Sequence, residues 1–265
     1  MAKLGIFFTI LKTMKREINI KNKVAGLIPS RLNSSRLFAK ALMEIDGLPL
    51  VVHTYKRALL ANHLDDLYIC TDSSKIASVA KKHNCKVIKT GNNLTGTDRI
   101  SEAADKLKEK FDLYVDIQGD EPLIDPRHID NVIIWHLKNL NFDIIVPSLK
   151  TKRVNSPHVV KIVKSKKKIL YFSRAEIPFE FKNNNQYYYK HLSVISFKPE
   201  SLKKFKQFKE SKLEKIEGIE LMRALENNMS IGTFELKGNS FSVDTKLDFQ
   251  KAQKTMINDK YRKKY

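Results

Sequence analysis

The sequence predicts an α/β fold: a parallel sheet in the first half, then a β-rich second half. Three observations carry that reading. Between Val24 and Val146, short apolar runs closed by breakers alternate with amphipathic helical stretches, the rhythm of parallel strands joined by crossovers. The first of these runs, Val24 to Ile28, ends at Pro29 and is followed by a loop carrying Arg31, Arg36 and Lys40 with the hydroxyls of Ser30, Ser34 and Ser35. Ligands of open α/β sheets sit off such carboxyl strand ends. From Thr151 onward the apolar runs are β-rich and more widely separated.

The elements follow in order. Pro49 to Asn62 has helical spacing, with Pro49 at the first position. Asp66 to Cys70 is a strand, Ser73 to His83 a helix, and Lys86 to Thr90 a short strand. Gly91 to Arg99 is rich in turn formers and reads as a loop. A charged amphipathic helix, Ile100 to Lys110, leads to a strand, Phe111 to Ile117, and then to Gln118-Gly119-Asp120-Glu121-Pro122. Pro126 to Asn139 is a helix and Phe142 to Val146 a strand. Val159 to Val163, Ile169 to Ser173 and Tyr187 to Phe197 form an inserted or appended sheet, with an exposed turn at Asn183 to Gln186. Leu213 to Asn227 is the strongest helix of the second half. Ile231 to Leu236 is a strand, Phe241 to Thr245 carries Asp244, Lys246 to Thr255 is a helix, and the basic tail to Tyr265 is expected to fray.

Length and composition bound the function. The 265 residues suit one large α/β domain or two small ones, and 42% hydrophobic content allows a sizeable core. Lys and Arg number 49 against 29 acidic residues, a net charge of +20. The lysines are scattered over helix faces with no stripe of interleaved aromatics, which argues against nucleic-acid binding. Cys70 and Cys85 lack metal-ligand spacing; Cys70, in an apolar strand-like run, reads as a buried free thiol, which fits a reducing cytoplasm. Gly5 to Leu11 is apolar but too short to span a bilayer and a poor signal peptide, so residues 1–22 read as an extension without stable membrane association.

Several residues are candidates for chemistry. The three cations after the first strand suit a polyanion such as a nucleoside triphosphate, or form an exposed basic loop. The loop has neither GxGxxG nor GxxxxGK[ST], so phosphate would be held by side-chain charge. Asp120, at a strand end, suits a hard cation such as Mg²⁺ or is a turn residue before Pro122. Asp244 is a second such carboxylate, or the N-cap of the helix after it. Arg99 could grip an anion in a fork; Thr97 or Asp98 caps the helix at Ile100, which does not exclude a ligand contact. His191 in a strand reads as structural. Glu214, Glu217 and Glu220 recur every three residues, as on a solvated helix face. There is no Ser-His-Asp set, Cys-His pair or zinc pattern.

Taken together, IPSRLNSSRLFAK, TGTDR, QGDEP, YFSRAEIP, KHL, LEKIEGIELMR and VDT resemble, in order, the motifs of the 3-deoxy-manno-octulosonate (Kdo) cytidylyltransferases, over roughly residues 22–255. The resemblance implies a Rossmann-like nucleotidyltransferase sheet with a smaller β-rich inserted dimerisation subdomain. It implies transfer of CMP from CTP to Kdo in the cytoplasm, for lipopolysaccharide synthesis, by a homodimer using Mg²⁺. Arg31 and Lys40 would hold the triphosphate, with Ser30, Ser34, Arg36, Thr97 and Asp98 near the nucleotide. Asp120 and Asp244 would bind the metal, Asp120 acting with Arg31 and Lys40 in catalysis. Arg99, Gln118, Arg174, His191, Glu217 and Glu220 would contact the sugar acid or order its pocket. The implied division is an extension (1–22), a nucleotide-binding part (23–150), a β-rich part (151–200), a return to the main domain (201–257) and a basic tail (258–265). Three departures stand out. Phe38-Ala39 replaces the usual Pro-Gly, Ile195 stands where a tyrosine is usual, and Gly218 falls inside the long helix. The Ile195 change opens the possibility of another acidic sugar, 8-amino-Kdo or a nonulosonate.

Overall fold

The computed structural model describes residues 22–32, 37–152, 156–179, 181–182, 187–238 and 242–265. The strands are β1 (Val24–Pro29), β2 (Glu44–Ile45), β3 (Leu48–Pro49), β4 (Asp66–Thr71), β5 (Val87–Lys89), β6 (Leu113–Ile117), β7 (Ile144–Ile145), β8 (Ser148–Lys152), β9 (Lys161–Ser165), β10 (Lys168–Ser173), β11 (Tyr187–His191), β12 (Val194–Phe197), β13 (Ile231–Gly232) and β14 (Glu235–Leu236). The helices are α1 (Leu50–Ala58), α2 (Ser74–Lys82), α3 (Gly96–Asp105), α4 (Pro126–Leu137), α5 (Pro199–Gln207), α6 (Lys212–Glu217), α7 (Leu221–Glu226) and α8 (Lys246–Ile257).

Strands β6, β1, β4 and β5 form the expected parallel sheet, with Gly26 of β1 level with Leu67 and Val115. All six residues of β1 are buried, as a strand covered on both faces must be. Helices α1, α2 and α4 pack on one face, burying Val51, Ile76 and Ile129 against Ile28 and Ile69. Helices α3, α5 and α7 cover the other face with Ile100, Leu202 and Leu221. Among the described residues no helix is long and apolar enough to cross a membrane.

The β-rich half does not stand apart. Its strands join one sheet, in the order β14-β8-β11-β9-β10-β13-β7-β12-β6-β1-β4-β5. The β-rich stretch Tyr187 to Phe197 is two strands. β11 pairs with β8 and β9 in the outer part, while β12 inserts antiparallel between β6 and β7. The corner between them holds Leu192 and Ser193, so this half of the chain delivers His191 to the end of the central sheet.

Two further expectations are corrected. The segment Leu213 to Asn227 is two helices, because Gly218 ends α6 in the left-handed conformation at φ 60°. Apolar spacing continues on both sides of the break and hides it, but a positive φ is where glycine costs least. Val243, just before Asp244, donates its N–H to the Asp120 carbonyl at 2.9 Å. The C-terminal tail does not fray: the Tyr265 hydroxyl meets His53 Nδ1 at 2.9 Å and Arg262 Nε donates to Asp46 at 2.7 Å.

Phe38-Ala39 is accommodated by the backbone. Phe38 is 74% exposed and so meets no wall, while Ala39 takes φ 51°, the left-handed region. That conformation explains why glycine is usual there, and for alanine it carries a cost. Ala39→Gly is expected to raise unfolding free energy by about 0.5–1 kcal/mol, net of the extra freedom glycine gives the unfolded chain. Urea denaturation measures it; a loss of stability would show that the loop does not hold this φ.

Candidate active site

The ends of β1 and β6 meet closely. A Cβ on Gly119 would lie 2.9 Å from the Pro29 carbonyl oxygen, so only glycine lets the two ends close and set Asp120 beside the first loop. A cleft opens there. Its first part, 220 Å³, is lined by Ser30, Arg31, Lys40, Thr95, Arg99 and Asp120. Its second, 540 Å³, shares Arg31, Thr95, Gln118, Asp120 and Asp244 with the first and continues to Arg174, His191, Ser193, Ile195 and Glu220.

Lys40, Asp120 and Asp244 come from three distant stretches and converge. Lys40 Nζ donates to Asp120 Oδ2 at 2.6 Å, to Asp244 Oδ1 at 2.9 Å and to the Val243 carbonyl at 2.9 Å. Burial opposes the lysine charge, but the two carboxylates outweigh it and raise the pKa above the ordinary lysine value. The ammonium is thus a point cation held by oxygen acceptors alone. That arrangement fits a hard divalent cation at the same carboxylates. Among the described residues no cluster of three or more His, Cys, Asp or Glu could hold a metal. Such an ion would therefore complete its shell with water and phosphate oxygens, as Mg²⁺ does. The Ser30 hydroxyl is buried without a partner among the described residues, and Arg31 lines both parts of the cleft.

The far end has a different character. Arg174 donates from its guanidinium to the carbonyls of Pro157, Glu217 and Gly218 at 2.6, 2.8 and 3.0 Å. These acceptors are neutral, so the side chain is fixed while its charge stays available to the cleft. Burial, with Arg174 adding to it, lowers the His191 pKa to about 4, so the imidazole is neutral near pH 7. Its ring stands edge-on to Phe172 at 6.1 Å. Glu220 Oε2 accepts from the Thr97 N–H at 3.0 Å, at the start of α3, where the helix dipole favours an acid.

Several expected residues sit elsewhere than the sequence suggests. Ser34 and Arg36 lie outside the described residues. The stretch Gly96 to Arg99 is the first turn of α3, not a loop, and its cap is Thr95, whose hydroxyl accepts from the Asp98 N–H. Thr97 is fully buried, and Asp98 pairs with Arg223 at 2.8 Å. At this turn it is Thr95 and Gly96 that line the cleft. Arg99 is 2% exposed, donates to the Thr90 hydroxyl at 2.6 Å and faces Asp72 at 3.3 Å. It therefore lies at the end of the cleft that holds Lys40 and Asp120 rather than beside Arg174 and His191. Glu217 takes bonds from the Ser173 hydroxyl at 2.8 Å and the Arg174 N–H at 2.9 Å, tying α6 to β10.

The glutamates are not a solvated face. Glu214 is 4% exposed and takes two bonds from Arg223, at 2.6 and 2.8 Å. Sequence reasoning missed Thr95, Ser193 and the Arg223 pairings. The Ser/Thr-x-x-Asp pattern of Thr95 and Asp98 was the available signal for the first.

Residues 25–231 match the family described as cytidylyltransferase. The 3-deoxy-manno-octulosonate cytidylyltransferase of Rickettsia canadensis is 40% identical over 241 residues, 89% of this chain and 96% of that protein. The enzyme of that name from Chlorobium phaeobacteroides is 37% identical over 231 residues, 84% of this chain and 92% of its own length. The chain belongs to the 3-deoxy-manno-octulosonate cytidylyltransferase family. A solved structure of CMP:2-keto-3-deoxy-manno-octonic acid synthetase complexed with CTP superposes with a TM-score of 0.82 and 29% identity, covering 89% of this cytidylyltransferase and 98% of the other chain. A cytidylyltransferase from Leptospira borgpetersenii shares the fold, with a TM-score of 0.62 and 16% identity, covering 90% of this chain and 88% of its own.

Proposed function

We propose that this cytidylyltransferase transfers CMP from CTP to the anomeric hydroxyl of 3-deoxy-D-manno-octulosonate, giving CMP-Kdo and pyrophosphate for lipopolysaccharide synthesis in the cytoplasm. The observation that carries the reading is the convergence of Lys40, Asp120 and Asp244 at 2.6 and 2.9 Å in one continuous cleft. The sugar hydroxyl oxygen attacks the α-phosphorus and releases its proton to solvent, the bond from the α-phosphorus to the bridging oxygen breaks, and pyrophosphate leaves with the electron pair. Arg31, Lys40 and the Ser30 hydroxyl bind and neutralise the triphosphate. Asp120 and Asp244 hold Mg²⁺, which when bound polarises the α-phosphate. Arg174 offers its positive charge to the sugar carboxylate. Neutral His191 orients the sugar hydroxyls, the Gln118 amide reaches an anionic oxygen of the substrate, and Glu217 and Glu220 hold the walls that carry these groups.

The reading includes a homodimer, supported by Phe179 and Phe181, exposed at 83% and 87% in the β-rich part; sedimentation measures it. The activity test is pyrophosphate release with CTP and Mg²⁺, offering Kdo, 8-amino-Kdo and N-acetylneuraminate in parallel. Turnover with Kdo is expected. Turnover only with another acid would move specificity to the wall formed by Ser193 and Ile195, where Ile195 lines the cleft in place of a phenol. No turnover with any of them would overturn the assignment.

A further inference from the structure

The middle of β6 carries a carboxyl group where a central parallel strand normally carries apolar side chains. Asp116 is 0% exposed. The register sets it level with Leu27 of β1 and Ile195 of β12, both in the apolar cluster under α3 and α7. Its Oδ2 lies 2.8 Å from Gln118 Nε2, and its Oδ1 is buried with no partner among the described residues. The groups acting on it are Glu220, Asp120 and Glu121, all acids, with the Cys70 thiol of β4 also close enough to feel it.

Hydrogen-bond accounting decides its state. An ionised Asp116 would hold a full charge in an apolar layer, beside another carboxyl, with one oxygen unpaired. A neutral Asp116 has one O–H to place, and the side chain bonded to it, Gln118, carries a carbonyl at the other end of its amide. The two ends of an amide have the same shape, so Gln118 can turn its oxygen toward Asp116 at the same 2.8 Å separation. The remaining Asp116 oxygen is then an uncharged carbonyl, the least costly group to leave unpaired. Burial, with Glu220 next, raises the Asp116 pKa well above the ordinary carboxyl range, in the same direction.

Gln118 lines both parts of the cleft. We propose that Asp116 is a positioning residue, a neutral acid whose O–H donates to the Gln118 side-chain carbonyl and so fixes the amide with its NH₂ toward the cleft, as a donor to an anionic oxygen of the substrate. The class of that anion rests on the proposed activity; the state of Asp116 does not.

Two measurements test it. The infrared difference between wild type and Asp116→Asn, at neutral pH in H₂O and ²H₂O, should show one protonated-carboxyl C=O stretch lost in the variant and shifted by deuterium in the wild type. No such band means that Asp116 is ionised and overturns the proposal, whatever the enzyme turns over. The kinetic arm compares three proteins. Asp116→Asn keeps a donor toward the Gln118 carbonyl and should restore wild-type KM values. Asp116→Leu has nearly the same shape in an apolar layer and should fold with an unchanged or higher Tm. It frees the amide, so one KM should rise about tenfold, the loss of one oriented hydrogen bond to a charged group. A rise in the KM for the sugar acid names its carboxylate as the partner, and a rise in the KM for CTP names a phosphate oxygen. Unchanged values for both, in a folded Asp116→Leu protein, would show that Asp116 orients nothing. If that variant does not fold, the infrared band still decides.

Discussion

Asp120→Asn lowers turnover with CTP and the sugar acid by at least about a hundredfold, the scale on which transition-state electrostatics act when one group is removed. The substitution keeps shape and removes one negative charge from the two carboxylates that meet Lys40. An amide oxygen is a weaker ligand for Mg²⁺ than a carboxylate oxygen, and its NH₂ repels the cation if it turns inward. The fold has no reason to fail. Asp120 is at a strand end with its side chain partly in solvent, and its carbonyl bond from the Val243 N–H is untouched. Tm within a few degrees of wild type, with kcat reduced, is therefore the expected pair of observations. Asp244→Asn follows in the same direction. Full activity in either variant at saturating Mg²⁺ would remove that carboxylate from the metal site.

Lys40→Met has two effects of opposite sign. In turnover it removes a charge that the triphosphate needs, and kcat/KM for CTP should fall about a hundredfold. In the free protein it removes the ammonium that sits between Asp120 and Asp244. A divalent ion must displace that ammonium in the wild type but not in the variant. Mn²⁺ should therefore bind the nucleotide-free variant about tenfold more tightly, a coupling well within the usual range. Electron paramagnetic resonance titration of free Mn²⁺ measures this without turnover. Equal affinity in the two proteins would mean that lysine and metal do not share the carboxylates.

What the sequence made legible, and what it hid, divides by distance along the chain. The strand ending at Pro29, the Asp120 turn and the alternation of helices with parallel strands rest on local patterns, and all are present. The fate of Gly218 was obscured because Leu213, Ile216, Ile219, Leu221 and Leu225 keep helical spacing across it. Glu214 and Glu220 looked solvated because the groups that neutralise them lie elsewhere. Arg223 follows nine residues after Glu214, and Thr97 comes 123 residues before Glu220. Tail docking depends on His53 and Asp46, more than two hundred residues from their partners. No periodicity reports such pairings. The insertion of β12 between β6 and β7 is likewise a matter of register between remote segments.

That insertion bears on how the chain is made. As it leaves the ribosome, β6 finds β1 early, since both are out once Ile117 has emerged. Its other edge stays bare until Val194 to Phe197 arrive, about seventy-seven residues later. During that interval an apolar strand offers unpaired N–H and C=O groups to any neighbour. A fragment stopping near Lys150 would keep this open edge permanently and is expected to associate through it, although it contains every strand of the parallel sheet. The parallel half of this enzyme's sheet is therefore completed late in synthesis, by a strand from the half that builds the other end of its cleft.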